Sequence, residues 1–361
     1  MDNTIGTNLT LTLFGESHGP LVGAVLEGMM AGIKIDYEFI KFMLNKRRPQ
    51  KVIETARIEQ DSFEIVSGVF NGYTTGAPLT ILIKNENILS KDYDILKDVM
   101  RPSHADYTAH IKYNGFNDYR GGGHFSGRLT APIVAVGAIL HKALQDKGIY
   151  IGTHIKMCKD VQDVDFSLDA HEVKDLINKS FPVIDDIEDK IKNEIENAKT
   201  NCDSVGGILQ TAIVGLPVGL GSSWFSSVEG RIANACFSIG GVKGIEFGLG
   251  FGFGSQIGST ANDELYYENN VVKTKTNHNG GINGGITNGM PVVFNLAVKP
   301  TPSIGKCQDT INVSKHINEK LELTGRHDPA IIRRISVVID AIVAVVVCDL
   351  LKEKFGEDFL K

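Results

Sequence analysis

Residues 337–351, VVIDAIVAVVVCDLL, constrain the fold more than any other stretch of this chain. The run is apolar apart from Asp340 and Asp349, and it is too short to cross a bilayer. It therefore predicts a buried helix, within a last long helix that begins near Asp328 and Pro329 and ends near Phe355. Composition supplies a sizeable core to bury it in, with 42% hydrophobic and 22% charged residues. The 361 residues suit one large domain or two ordinary ones. No low-complexity linker divides them, so a single compact α+β unit spanning residues 1–361 is expected.

Periodicity fills in the rest. Residues 8–14 and 21–26 alternate like strands, with Gly19 and Pro20 between them. Residues 36–46 predict a helix capped by Asp36, and residues 127–146 have helical length and apolar period. Strand character returns at 149–157 and 205–215. Residues 170–199 predict one or two charged surface helices, and 225–239 a helix begun near Ser226 or Ser227. Residues 247–254, FGLGFGFG, predict a closely packed strand. Two strand-then-helix passages, 8–46 and 205–239, hint at duplicated halves.

Glycine is enriched, 39 of 361 residues, and it clusters beside reactive side chains in five segments. They are FGESHGP from Phe14, RPSHAD from Arg101, YRGGGHFSGR from Tyr119, NHNGGINGG from Asn277 followed by KPTPS from Lys299, and GRHDP from Gly325. Glycine lets backbone approach a ligand and offer N–H groups to an anion. Arg101, Arg120, Arg128 and Arg326 each stand beside such a turn, and Lys46, Arg47 and Arg48 form a further cluster. Arginine forks match phosphate and carboxylate. The formal net charge of −6 argues against a general nucleic-acid binder, so the cations point to a small, multiply anionic ligand.

Other chemistries find little support. There is no H-x-x-x-H, H-E-x-x-H or paired-cysteine pattern for a metal, no Walker A loop and no dinucleotide fingerprint. The five cysteines are scattered, which suits a reduced, cytosolic compartment, and the N-terminal residues do not read as a signal peptide. Gly15 to Gly19 matches G-x-S-x-G, but a nucleophile elbow leads from strand to helix. Here Pro20 and LVGAVL lead to another strand, which favours His18 as a general acid over Ser17 as a nucleophile.

Taken together, GESHGP, RPSHADYT, DYRGGG, GGINGGI, KPTPSI and GRHDP resemble the chorismate synthase family in order and approximate spacing, from about residue 8 to residue 352. The resemblance implies an α+β sandwich with internal duplication. It implies a lyase that converts 5-enolpyruvylshikimate 3-phosphate to chorismate and phosphate by 1,4-anti elimination, with reduced FMN and no net redox change. It also implies a homotetramer. NADPH would be the reductant in members that reduce their own flavin, and a separate flavin reductase would serve the others.

The same resemblance assigns residues. His18 would protonate the departing phosphate, His104 would supply a proton near flavin N1, and Asp328 would be the base at flavin N5, kept ionised beside Arg326. Ser17 and Ser126 would relay protons. Flavin contacts would come from His124, Phe125 and Ser126, from Gly240, Gly241 and Gly284, from Lys299, Pro300, Thr301, Pro302 and Ser303, and from Arg326. Arg47 would grip substrate or NADP. No metal is implied. The chain departs from the family's usual GGGRSSAR with GGGHFSGR, from KPTSS with KPTPS, and from an Asn-Ala pair with Gly240 and Gly241. Lys51 is the nearest cation to a second arginine expected after Arg47.

Overall fold

The computed structural model describes residues 3–49, 54, 60–86, 95–323 and 328–361. The first sheet draws on β1 (Thr4–Ile5), β2 (Thr10–Gly15), β3 (Leu21–Glu27), β4 (Phe63–Ser67) and, after the small hairpin β5 (Val69–Phe70) and β6 (Tyr73–Thr74), β7 (Leu79–Lys84). Its order is β1-β2-β3-β7-β4, antiparallel throughout. The second sheet draws on β8 (Tyr150–Cys158), β9 (Val161–Gln162), β10 (Gly207–Val214) and β11 (Val242–Phe247). After two hairpins, β12 (Leu265–Glu268) with β13 (Val271–Thr274) and β14 (Ile282–Asn283) with β15 (Ile286–Thr287), it gains β16 (Val292–Val298). Its order is β11-β16-β10-β8-β9, again antiparallel. A last hairpin pairs β17 (Gln308–Asn312) with β18 (Ile317–Leu321).

The helices are α1 (Tyr37–Arg47), α2 (Asp106–Lys112), α3 (Thr130–Gln145), α4 (Val173–Asn178), α5 (Glu188–Thr200), α6 (Val228–Phe237), α7 (Gly258–Ala261) and α8 (Ile332–Phe355). α3 lies on β3 and β7, α8 lies on β8 and β10, and α3 packs along α8. The layers therefore run sheet, helix, helix, sheet. Each half of the chain contributes one five-stranded sheet, which is how far the hinted duplication is visible.

The apolar run explains this arrangement. α8 is buried continuously from Ile335 to Leu351, because both of its faces meet protein. Each fully buried Val, Leu or Ile there contributes roughly 1.5–3 kcal/mol. The two interrupting acids have partners. Asp340 accepts from Thr153 Oγ1 at 2.7 Å, tying α8 to β8, and Asp349 accepts from the N–H groups of Thr7, Asn8 and Leu9 at 2.6–3.1 Å.

Most expected elements appear within a residue or two. Asp36 caps α1 through Phe39 N, and Ser227 caps α6 through Gly230 N. Residues 170–199 hold two helices, α4 and α5. α8 begins later than expected, at Ile332, because the segment before it is docked elsewhere. The Pro329 carbonyl accepts from Val205 N at 2.9 Å. The packed strand expected over 247–254 is absent. β11 stops at Phe247, Gly248 and Gly250 adopt positive φ, and Gly250–Ser255 form a 3-10 turn with Phe251 90% exposed.

Candidate functional site

The loop holding Ser17 and His18 joins β2 to β3, neighbours in one sheet, so it is a hairpin connection and not a strand-to-helix elbow. Both side chains are buried. Against them lies the turn Gly121, Gly122, Gly123, with φ of +58°, +82° and +53°. A Cβ at Gly121 would overlap the His18 ring and the Ser17 hydroxyl, so glycine is required there sterically as well as conformationally. Ser17 N donates to Gly123 O at 3.1 Å and closes the contact.

Hydrogen-bond polarity sets the state of this pair. Ser17 Oγ lies 3.1 Å from Gly121 O and 3.2 Å from Arg120 O, and carbonyls only accept. The hydroxyl proton goes to them. At 3.0 Å from Oγ, His18 Nδ1 is then the donor. This is the reverse of a serine nucleophile, whose proton would go to the histidine.

His104 sits across the same turn. A Cβ at Gly122 would stand 3.4 Å from His104 Cε1, so consecutive glycines face the two imidazoles. His104 Nδ1 lies 2.6 Å from Asp106 Oδ1, and Arg101 forks onto Asp106 at 2.7 and 2.8 Å. Burial pushes the Asp106 carboxyl up, but the Arg101 and His104 hydrogen bonds outweigh it and hold it well below the usual range. Arg101 Nη1 also donates to Ser303 Oγ at 3.1 Å.

Beside His104 opens a cavity of about 370 Å³, within the usual range for small ligands. Ile239, Ile331, Ile335, Val338 and Phe125 make an apolar wall suited to a flat ring. Gly240 and Gly241 give it a floor without side chains, and a Cβ at Gly240 would meet open space. Thr301, Pro302 and Ser303 form the opposite rim, and the buried Thr301 Oγ1 has no hydrogen-bond partner among the described residues. Arg47, Lys299 and Arg334 supply positive charge. Burial lowers Arg47 to about 10, with Asp61 opposing, so it remains a cation at neutral pH. An apolar slot with a hydrogen-bonding rim and cations fits a flavin nucleotide.

Asp328 stands just behind Arg334, whose Nη1 donates to Oδ2 at 2.6 Å while its Nε donates to Arg47 O at 2.9 Å. Its buried Oδ1 has no hydrogen-bond partner among the described residues. Burial pushes its pKa up, against Arg334 and with Glu54 adding to the rise. Among the described residues, the cation beside Asp328 is Arg334, and burial leaves the carboxyl raised despite it. Arg326 and Lys51 lie outside the described residues.

The other arginines differ from expectation too. Arg120 pairs with Asp118 and Arg128 with Asp61, so with Arg101 on Asp106 each is held by a carboxylate. Asp61 also pairs with Arg47 at 3.0 Å, and Arg128 donates to Asn85 Oδ1 at 2.9 Å. Asn85 Nδ2 grips the carbonyls of Glu16 and Gly19, at 2.9 and 2.8 Å, on either side of Ser17 and His18. Sequence reasoning missed Asp61, Asn85, Asp106 and Arg334. Only Asp106, two residues after His104, lay inside a segment already singled out.

Several expected contacts stand apart from the cavity wall. His124 donates through Nδ1 to Gly15 O at 2.9 Å and meets Asn3 with Nε2, bracing the turn. Ser126 Oγ accepts from Arg128 N. Pro300 faces a separate hollow beside Gly206 and Ile208. Gly284 is at the β14–β15 turn, near the start of α6. Among the described residues, no cluster of His, Cys, Asp or Glu could hold a metal ion.

An α+β sandwich with this slot defines an enzyme that binds small anions beside a flat cofactor and moves protons between them. A family model described as chorismate synthase matches residues 9–351. Chorismate synthases from Pyrococcus abyssi and Methanobrevibacter smithii are 43% and 42% identical, each covering 95–97% of this chain and 96% of the relative. A solved structure described as a crystal structure of chorismate synthase aligns with a TM-score of 0.76 at 30% identity, covering 97% of this chain and 94% of that one. The chain belongs to the chorismate synthase family. It is a lyase of the shikimate pathway, converting 5-enolpyruvylshikimate 3-phosphate to chorismate and phosphate with reduced FMN.

Proposed function

We propose that His18 and His104 handle the protons of this elimination and that Asp328 is its base. The observation that carries the proposal is the placing of both imidazoles on consecutive glycines, each with Nδ1 engaged by the protein. Bound reduced FMN supplies electron density that labilises the carbon–oxygen bond to phosphate, with no net redox change. Gly240, Gly241, Lys299, Thr301, Pro302, Ser303 and Phe125 would hold it. His18 Nε2 gives a proton to the departing phosphate, and His104 holds one at the flavin edge. Asp328 Oδ1 would serve as the base at flavin N5, and its raised pKa makes it a stronger base than an ordinary carboxylate. Ser17 orients His18, and Ser17 and Ser126 are the relay hydroxyls. Arg47, Lys299 and Arg334 hold the anionic substrate, and Arg47 also meets NADPH where the enzyme reduces its own flavin. A separate reductase is the alternative source of electrons.

A cytoplasmic setting agrees with five unpaired thiols, and no helix of the described residues is long and apolar enough to cross a membrane. Assembly into a homotetramer would cover Trp224, Phe225 and Phe251, which are 86–101% exposed. The roles are tested by His18→Ala, His104→Ala and Asp328→Asn. Each should cut turnover at least about tenfold, as lost proton transfer does, while reduced FMN still binds. A variant that turns over at the wild-type rate loses its assigned role.

A further inference from the structure

We propose that Asp106 is the positioning residue of His104: its carboxylate fixes the proton on Nδ1 and so presents Nε2, beside Gly122, as the ring atom that meets the cavity. This rests on the reading of His104 as a proton-handling group.

Four donor atoms converge on one carboxylate. Oδ2 takes Arg101 Nε at 2.7 Å and Arg101 N at 3.1 Å, while Oδ1 takes Arg101 Nη2 at 2.8 Å and His104 Nδ1 at 2.6 Å. The side chain of Asp106 is 7% exposed, and that of His104 17%. Arg101 Nη2 also lies 3.0 Å from His104 Nδ1. Arg101 Nη2 carries two protons and could serve both the ring and Oδ1, but with Nδ1 bare the 2.6 Å approach of Nδ1 to Oδ1 would set two acceptors against each other. With the proton on Nδ1, both nitrogens donate to Oδ1 and every group is satisfied. The tautomer follows from the carboxylate.

The same carboxylate reaches the flavin-facing loop. Arg101 carries the link through Nη1 to Ser303 Oγ, and Lys299 Nζ donates to Ser103 O at 2.6 Å, next to His104. Among the described residues, the charged groups near His104 are Asp106, Arg101 and Lys299, with His18 across the glycine turn and Arg47 and Arg334 on the same cavity wall. An asparagine at 106 would offer one side-chain acceptor to these donors and turn an N–H toward Arg101 or His104. The ring would lose its fixed tautomer while the loop kept its course.

The test uses ¹⁵N-histidine-labelled full-length protein without ligand, alongside turnover and thermal unfolding. His104→Ala assigns the His104 signals. The wild type should show His104 with the proton on Nδ1, and Asp106→Asn should shift it toward the Nε2–H tautomer. Turnover should fall about 10- to 100-fold, as on loss of a partner that orients a histidine, with KM little changed and the pH–rate profile displaced. Asp106→Glu should restore part of both signals. A wild-type spectrum with the proton on Nε2 overturns the proposal, even if Asp106→Asn fails to fold. So does an Asp106→Asn enzyme with wild-type tautomer and pH profile. If His104→Ala turns over normally, the underlying reading of His104 fails instead; if it is slow while Asp106→Asn is unaffected, only the positioning role fails.

Discussion

Glycine 121 shows how far a single residue decides this site. Its φ of +58° disfavours a side chain by roughly 1–2 kcal/mol, and the space a Cβ needs is filled by His18 and Ser17. Gly121→Ala should lower turnover about tenfold or more by displacing His18. Gly254→Ala, where a Cβ meets nothing within 4 Å, should leave it unchanged. Equal activity of the two variants, measured on folded protein, would remove the steric argument. At this scale the sequence was legible wherever chemistry is local. It displayed the histidines, the glycine turn and the KPTPS loop as neighbours in short segments. It did not display which arginines would be neutralised, because Asp61 reaches Arg128 from 67 positions away and Arg334 reaches Arg47 from 287. Nor did it display the two backbone carbonyls that take the Ser17 hydroxyl proton, which no pattern of side chains encodes.

Among the elements, α8 carries the clearest consequence. Burial pushes the Asp340 carboxyl up to about 7, against the Lys46 charge and the Thr153 hydrogen bond. A carboxyl raised in the folded state binds its proton more tightly there than in the unfolded chain. Its contribution is full below pH 3.8 and is lost as pH rises through about 7. His141 in α3 opposes this. Burial lowers it to about 4, so its penalty is felt below pH 4 and lifts as pH rises to 6.5. Asp340→Asn should therefore abolish the loss of stability between pH 6.5 and 7.5 and expose a steeper gain between pH 4 and 6.5. Denaturant unfolding across that range is the check, and a pH dependence identical to wild type would contradict the assignment. The sequence marked α8 as buried because its apolar run has no polar face. It misplaced residues 247–254 because alternating glycine and bulky residues satisfy a strand pattern and a 3-10 turn equally; the positive φ at Gly248 and Gly250 decides.

For the whole molecule, the two sheets and the paired helices bring segments near residues 17, 104, 122, 240, 301 and 328 into one region, so segments far apart in sequence meet beside one cavity. The exposed Trp224, Phe225 and Phe251 lie outside it. If a homotetramer covers them, Phe225→Asp should reduce the mass measured by light scattering below that of four chains; an unchanged tetramer would place the interface elsewhere. The central claim is that this cavity carries out the elimination. Its most direct test is anaerobic incubation of the enzyme with chemically reduced FMN and 5-enolpyruvylshikimate 3-phosphate. The account predicts chorismate, followed by absorbance, and one phosphate released for each chorismate formed. Folded, flavin-bound protein that releases neither would contradict it.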